Sequence, residues 1–217
     1  MAQSVLRIKK IDDISLDYLS GRETSSFFGK FPALEWHSID QCPWRETFPY
    51  QPEVRFQIAH SDRNIYLRYK VKEEYVKGQY IRPNENVWED SCVEFFLSLD
   101  NKQHYYNFEF NVLGTGLVGY GTADKSTRHR LDTTVVERIN TFTQVSKLNG
   151  EKAWEIVLAI PKDIFREELA DGKVVHANFY KCGDMLPQPH FVAWNAIENP
   201  IPNFHLPQYF GEVVFEK

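Results

Sequence analysis

The chain has 217 residues and a formal net charge of −5, with 30 acidic and 25 basic residues interspersed along it. Because its basic residues form no concentrated stripe that could follow phosphates, the sequence argues against a nucleic-acid partner. It contains neither the apolar core of a signal peptide nor a membrane-spanning run. We therefore expect a soluble protein with no membrane partner, either cytoplasmic or exported after removal of a leader.

The composition favours β-strands. Aromatic residues make up 15% of the chain, and the apolar fraction of 42% is enough for a sizeable core. Since all-β chains of this length commonly form one domain, we expect residues 1–217 to be a single domain. Within it, residues 1 to about 50 are predicted to form an irregular cover over one edge of the fold.

A series of predicted hairpins follows this cover. Apolar and polar residues alternate with period two in the strands, and short polar turns separate them. The segments 141–148 and 151–160 flank Asn149-Gly150, a strong hairpin signal. The other predicted strands are 54–60 with 64–71, 92–99 with 104–112, and the later 174–180, 191–195 and 211–215.

One short helix is predicted at 161–169, where Pro161 takes the first helical position and Asp163 lies in the first turn. The remaining elements are strands and loops. Many short strands joined by turns indicate two antiparallel sheets packed face to face. The predicted fold class is therefore all-β, a two-sheet antiparallel β-sandwich of the immunoglobulin-like or jelly-roll type.

The hairpin 92–112 has a self-consistent register. A four-residue loop pairs Leu99 with His104, which places Glu94 opposite Glu109 across the two strands. In this register Val93, Phe95 and Leu97 each meet a core residue of the second strand. The core sets are Val93, Phe95, Leu97 and Leu99 on the first strand and Tyr106, Phe108, Phe110 and Val112 on the second.

The other face of this hairpin is polar and suits a sugar. Like charges at Glu94 and Glu109 destabilise the sheet unless something compensates them. Arg68 and Lys70 could do so from a neighbouring strand, as could a sugar hydroxyl or a bound cation. Trp88 stands at the entrance to this face, and aromatic rings stack on the C–H faces of sugars while fixed polar groups bind the hydroxyls. An ordinary solvent-facing strand surface is the competing interpretation.

Three stretches resemble carbohydrate-binding module family 9 and its wider β-sandwich relatives, the DOMON-like superfamily. They are Trp88 with Glu94 six positions later, the strand YYNFEFNVLGTG at 105–116, and the closing segment NFHLPQYFGEVVFE at 203–216. The resemblance covers about residue 34 to the C-terminus. It implies an antiparallel sandwich that binds a saccharide without catalysis, clamped between two aromatic walls, and a glycosidase is one partner that such a module could serve.

The resemblance implies a sugar-binding role for seven residues and a catalytic role for none. Trp88 is the first stacking wall. The sequence departs from the family where the second tryptophan belongs, so that wall comes from Trp194 or from Phe204 and His205. The candidate sugar-binding residues are Trp88, Glu94, Glu109, Asn111, Trp194, Phe204 and His205.

Two alternative functions stay open. A retaining glycosidase needs two carboxyl groups about 5 to 5.5 Å apart, which Glu94 and Glu109 could supply, although no further catalytic motif accompanies them. Some members of the wider superfamily bind haem through Met and His, and Met185 lies near His190. We expect neither a cofactor nor a metal. The three cysteines are widely spaced, as free and largely buried thiols would be, and no Asp-rich calcium loop occurs.

Overall fold

The architecture comes from a computed structural model that describes residues 5–14 and 34–217. In these ranges the only regular α-helix is Thr133–Val136. The 3-10 turns are Val87–Glu89, Lys125–Thr127, Lys162–Ile164 and Pro207–Tyr209. The strands are β1 (Leu6–Lys10), β2 (His37–Ser38), β3 (Glu53–His60), β4 (Asn64–Lys72), β5 (Cys92–Ser98), β6 (Tyr105–Asn111), β7 (Gly116–Gly121), β8 (His129–Arg130), β9 (Asn140–Leu148), β10 (Glu151–Pro161), β11 (Val174–Cys182), β12 (Phe191–Ala193) and β13 (Gly211–Phe215).

The strands form two sheets that share β1. The first sheet has the order β8-β7-β6-β5-β11-β13-β1, with β12 beside β11. The second has the order β1-β3-β4-β10-β9, with β2 beside β3. Strand β1 pairs in parallel with both β13 and β3, whereas the other pairs are antiparallel. The all-β sandwich predicted from the sequence is confirmed, with two parallel pairings at β1 that the prediction did not contain.

The core lies between the two sheets. Its side chains come from the inward positions of β3, β4 and β10 on one side and of β5, β6 and β11 on the other. The predicted core sets of the 92–112 hairpin all belong to this cluster. Phe56 of β3 stacks on Phe179 of β11 with ring centroids 4.0 Å apart, and Tyr69 donates a hydrogen bond of 3.0 Å to the carbonyl oxygen of Glu94. These contacts fix the two sheets against each other at the level of the polar hairpin.

The predicted register of the β5–β6 hairpin is confirmed. Glu94 pairs with Glu109, and Phe95 pairs with Phe108. The predicted compensation is wrong, because Arg68 and Lys70 lie in the second sheet. Both contact Glu155 of β10, with nitrogen–oxygen distances of 2.6 and 3.1 Å.

Two further predictions need correction. The segment 161–169 contains only the 3-10 turn Lys162–Ile164 instead of a helix, because Phe165 returns to an extended backbone. The predicted irregular cover at 1–50 includes β1, which is a central strand. Residues 1–4 and 15–33 of that cover lie outside the described residues.

The outer face of β5, β6 and β11 is covered by other parts of the chain. The competing interpretation of this face as an ordinary solvent-facing surface is therefore wrong. Every residue of β5 and β6 is buried. A second apolar cluster lies over this face, formed with residues of the segments before β3, before β5 and between β11 and β13; its buried members include Trp44, Val87, Ile197, Phe204 and Phe210. No helix in the described ranges has the length and apolarity that crossing a membrane requires.

A buried ion pair stands at the inner face of β11. Lys181 Nζ lies 2.9 Å from Glu73 Oε2, and both side chains are fully buried. Trp154 Nε1 donates a hydrogen bond of 2.6 Å to the other oxygen of Glu73, while His190 Nε2 lies 2.8 Å from Lys181 Nζ. The ammonium and carboxylate are therefore paired inside the core, where an unpaired charge would be costly.

Candidate functional site

A cavity of about 720 Å³ opens on the covered face of the first sheet. Strands β5 and β6 contribute Glu94, Asn107 and Glu109. Loops and turns contribute the rest, and this size is within the range of small-ligand sites. The lining residues outside β5 and β6 include Trp88, Gly119, Lys125, Arg128, Arg130, Cys182, Asp184, Phe191, Asn203, Phe204 and His205.

Trp88 lies on the 3-10 turn immediately before β5 and is half-buried. Its carbonyl oxygen accepts a hydrogen bond of 3.1 Å from the Asp184 amide, which ties this turn to the end of β11. The guanidinium of Arg130 lies 5.7 Å from the centroid of the indole ring. Trp88 is thus held in the cavity wall by backbone and cation–π contacts.

Two carboxyl groups, Glu94 and Glu109, lie on the strand floor and are almost completely buried. Burial, together with the charge of Glu109, raises the pKa of Glu94 well above its usual value. Burial also raises the pKa of Glu109 to about 7, although Asn107 Nδ2 donates a hydrogen bond of 2.9 Å to its Oε1. Both carboxyl groups therefore hold a proton more readily than a free glutamate does, so the floor offers carboxyl oxygens and, where protonated, a hydrogen-bond donor to a ligand.

Cations and a third carboxyl group surround this floor. Lys125, Arg128 and Arg130 line the cavity from the segment that follows β7. Asp184 lines it from the end of β11, and burial raises the pKa of Asp184 to about 6. The site thus combines cationic hydrogen-bond donors and carboxyl acceptors with an apolar wall. This combination suits a ligand rich in hydroxyl groups.

Phe204 and His205 form another part of the wall. Phe204 stacks on Tyr180 of β11, with centroids 4.1 Å apart and planes at 7°. His205 Nδ1 lies 2.8 Å from the hydroxyl oxygen of Tyr105, so the imidazole and the phenol share a hydrogen bond. Burial, with the nearby charges of Arg128 and Lys125, lowers the pKa of His205 to about 3. His205 therefore presents a neutral ring.

Five of the seven candidate residues line this cavity: Trp88, Glu94, Glu109, Phe204 and His205. The structure does not bring the other two there.

Asn111 is fully buried below the site. Its amide nitrogen donates to Asp90 and to the Tyr80 carbonyl oxygen, and its side-chain oxygen accepts from the Leu113 and Thr115 amides. The Asn111 side chain therefore holds together the segments before β5 and after β6, and its polar atoms are already hydrogen-bonded.

Trp194 lies on the core side of the sheet. Its ring makes edge-on contacts with Phe56 and Phe179, at centroid distances of 6.4 and 5.5 Å. The second wall of the cavity is consequently provided by Phe204 and His205.

Several lining residues were not predicted from the sequence. Asn107 could have been found, because it lies two residues before Glu109 on the same face of β6. Arg128 and Arg130 belong to a short basic stretch without a recognisable motif. Cys182 and Asp184 reach the cavity only through the pairing of β11 with β5, which joins segments about 90 residues apart.

Most of the chain matches one family model. Residues 28–215 match the model described as carbohydrate-binding family 9. The chain belongs to carbohydrate-binding family 9. No curated protein sequence matches it. The family confirms the non-catalytic carbohydrate binding expected from the sequence and lends no support to the glycosidase and haem alternatives.

Solved structures agree with this family 9 fold. A protein from Bacteroides uniformis ATCC 8492, for which carbohydrate binding has been proposed, is 36% identical over 98% of this chain and 99% of that chain, with a TM-score of 0.84. A family 9 module from Caldicellulosiruptor kristjanssonii is similar in fold at 12% identity. Its cellotriose complex gives a TM-score of 0.60 over 98% of this chain and 94% of that one, and its glucose complex 0.61 over 98% and 96%.

The residues of the haem alternative are placed unfavourably for iron binding. His190 is fully buried, and its two ring nitrogens lie 2.8 Å from Lys181 Nζ and 2.9 Å from the Gln188 carbonyl oxygen. Met185 points outward, with 63% of its surface exposed. Neither ring nitrogen of His190 is available as a ligand in this arrangement.

Proposed function

We propose that the cavity of about 720 Å³ binds one end or one unit of a neutral saccharide. The observation that carries this proposal is that Trp88, the carboxyl pair Glu94–Glu109 and the wall of Phe204 and His205 line one cavity. An aromatic ring can cover the C–H face of a pyranose, while the carboxyl and amide groups bind its hydroxyls.

Individual roles follow from position. Trp88 is the stacking wall, Glu94 and Glu109 bind hydroxyls from the floor, and Asn107 fixes the Glu109 carboxyl group. Glucose and cellotriose, the ligands in the complexes of the C. kristjanssonii module, are the first candidates for the saccharide. Because a sugar gives up well-hydrated hydroxyls on binding and each replacement hydrogen bond contributes only about 0.5 to 1.5 kcal/mol, we expect a modest affinity.

The experiment is calorimetric titration with glucose, cellotriose and a panel of other oligosaccharides. Trp88→Ala removes the stacking wall and should weaken binding at least about tenfold, which is about 1.4 kcal/mol. Trp36→Ala is the matched control, because Trp36 is also half-buried but lies under Arg55 and Arg68 in the second sheet. Equal affinities of the Trp88 and Trp36 variants would overturn the assignment.

A second measurement separates binding from catalysis. The chain is incubated with cello-oligosaccharides and aryl glycosides, and no product should accumulate. Turnover that disappears in Glu94→Gln would instead assign hydrolysis to the carboxyl pair.

A further inference from the structure

Two cysteines and a glutamate meet at one end of the cavity floor. The antiparallel register of β5 and β11 places Cys92 directly opposite Cys182. Glu94 lies two residues after Cys92 and therefore on the same face of β5. The two sulfur atoms and one Glu94 oxygen all lie within 4.8 Å of one another, and Glu94 Oε1 is 3.1 Å from Cys182 Sγ.

These atoms are arranged as ligands of a small cation. Zinc binds thiolate sulfur at about 2.3 Å and carboxylate oxygen at about 2.0 to 2.2 Å, so neighbouring ligands of a tetrahedral zinc ion lie about 3.3 to 3.8 Å apart. The separation of 3.1 Å between Cys182 Sγ and Glu94 Oε1 is slightly below this range, and the other two separations do not exceed 4.8 Å. The three side chains are 4% exposed or less, and each is held by a strand or its end, so closing onto a metal needs only small side-chain rotations.

The cavity supplies what a fourth coordination position needs. Cys182 and Glu94 line it, whereas Cys92 lies behind them. Asp184 follows Cys182 by two residues, as Glu94 follows Cys92, and its carboxyl group lines the same cavity. A water molecule, a hydroxyl group or Asp184 could therefore complete four ligands.

The charges around this position are mixed, because Lys125, Arg128 and Arg130 line the same cavity as the carboxyl groups. Glu94, Glu109 and Asp184 place three carboxyl groups around it. The nearest buried ammonium group on β11, Lys181, points to the opposite face, where it pairs with Glu73. Opposed carboxylates destabilise a strand pair, and a divalent cation would remove that repulsion.

We propose that Cys92, Cys182 and Glu94 form a zinc site with three protein ligands, whose fourth position opens into the cavity. Binding releases the two thiol protons, and any proton held by Glu94, to solvent as the bonds to zinc form. The softness of two thiolates favours zinc over calcium or magnesium. The site departs from the expectation of no metal. It shares Glu94 with the proposed sugar contacts, but its test needs no sugar.

The experiment uses the untagged full chain, kept reduced with a non-thiol reductant and free of oxygen. Cobalt(II) serves as the optical probe, since thiolate ligands give a sulfur-to-metal charge-transfer absorption. We expect saturation at one equivalent, competition by zinc, and at least tenfold weaker binding in Cys182→Ser and in Cys92→Ala. Cys42→Ser is the matched control, because Cys42 is a free cysteine outside the cluster, and it should bind as the unaltered chain does.

Native mass spectrometry of the unaltered chain provides a measurement that does not depend on the folding of any variant. One zinc ion should be retained and then removed by a chelator. The proposal is overturned if the unaltered chain retains no zinc or if cobalt gives no charge-transfer absorption. It is also overturned if Cys182→Ser binds cobalt as tightly as the unaltered chain, or if Cys42→Ser binds it at least tenfold more weakly. Sugar titrations of the metal-free chain test the saccharide proposal separately.

Discussion

Single residues in this protein carry charges that the fold keeps out of water. The pair Lys181–Glu73 is fully buried at a separation of 2.9 Å, and Trp154 donates to the same carboxylate. A buried pair of this kind adds little net stability compared with apolar residues, but removing one partner leaves the other charge uncompensated. The stability of the core therefore depends on both partners being present.

Glu73→Gln should lower the free energy of unfolding by about 3 to 5 kcal/mol, because Lys181 loses its counter-charge inside the core. Urea denaturation followed by circular dichroism measures the change. The double variant Glu73→Gln with Lys181→Met is the control and should lose less than the single variant. A double variant that is less stable than Glu73→Gln would contradict this account.

His190 should make stability depend on pH. Burial, with the charge of Lys181, lowers its pKa to about 3. Lys181, Glu73 and the ring of Tyr50 face it among the described residues. Because the unfolded chain takes up a proton near pH 6.5 and the folded chain does not, this contribution is fully present above about pH 6.5 and is lost progressively as the pH falls toward 3.

The measurement is the melting temperature between pH 7.5 and 4. His190→Gln removes the titrating group and should flatten the decline, although the variant starts from a lower stability. His104→Gln, which changes a partly exposed histidine, provides the control for loss of an imidazole. Parallel curves for His190→Gln and the unaltered chain would rule out this origin of the pH dependence.

Among the elements, strand β7 supports the site because it has a glycine at the position next to Asn107. Gly119 pairs with Asn107 of β6. A Cβ atom at position 119 would overlap the Asn107 side-chain oxygen and lie 3.0 Å from its nitrogen. Asn107 in turn donates to Glu109, so the glycine preserves the orientation of the floor carboxyl group.

Gly119→Ala should therefore weaken saccharide binding severalfold by displacing Asn107, and it should also cost about 1 to 3 kcal/mol of stability through overpacking. Calorimetric titration measures the first effect and urea denaturation the second. Gly150→Ala is the control for binding. Its φ of 89° strains an alanine, so this variant also loses stability, but a Cβ there meets no atom within 4 Å and the turn lies far along the β9–β10 hairpin, so binding should not change. Unchanged binding in Gly119→Ala would show that Asn107 does not position the floor.

Local pairing could be predicted from the sequence, and distant pairing could not. The alternation of side chains and the short loop set the β5–β6 register, including Glu94 opposite Glu109. Strand β5 also pairs with β11, and nothing in either segment encodes that choice. For this reason the residues brought by β11, Cys182 and Asp184, were missed, as was the burial of the hairpin's second face.

Alternation predicts the face on which a side chain lies, but not what that side chain contacts. Asn111 lies on the predicted face of β6, but its amide group is occupied by hydrogen bonds to the surrounding segments. Strand β12 ends at Ala193, so alternation along it does not extend to Trp194. The packing of Trp194 on the core side could therefore not be predicted. Predicting such roles requires the positions of the loops, and loop sequences have no hydrophobic periodicity from which those positions could be predicted.

At the scale of the molecule, β1 joins the two sheets. It pairs with β13 on one side and β3 on the other, and Ile8 at its centre is fully buried. Because one strand belongs to both hydrogen-bonded ladders, we expect the sheets to unfold together. This is the physical basis for proposing that the chain is one domain.

Ile8→Ala should lower the free energy of unfolding by about 2 to 5 kcal/mol, with both sheets affected equally. Tryptophan fluorescence and far-ultraviolet circular dichroism should give coincident urea transitions. Val145→Ala, on the exposed edge strand β9, should change stability by less than about 0.5 kcal/mol. Two separated transitions in the Ile8 variant would mean that the sheets unfold independently.

The aromatic walls of the cavity and its carboxyl floor have different structural supports. Trp88, Phe204 and His205 lie on segments that precede strands, whereas Glu94 and Glu109 are locked into the β5–β6 ladder. Loops exchange residues with little effect on the sheet that carries them. Ligand preference in this scaffold can therefore be retuned by randomising 125–128 and 203–205 in a display library, with the strand carboxylates kept constant as a common hydroxyl receptor.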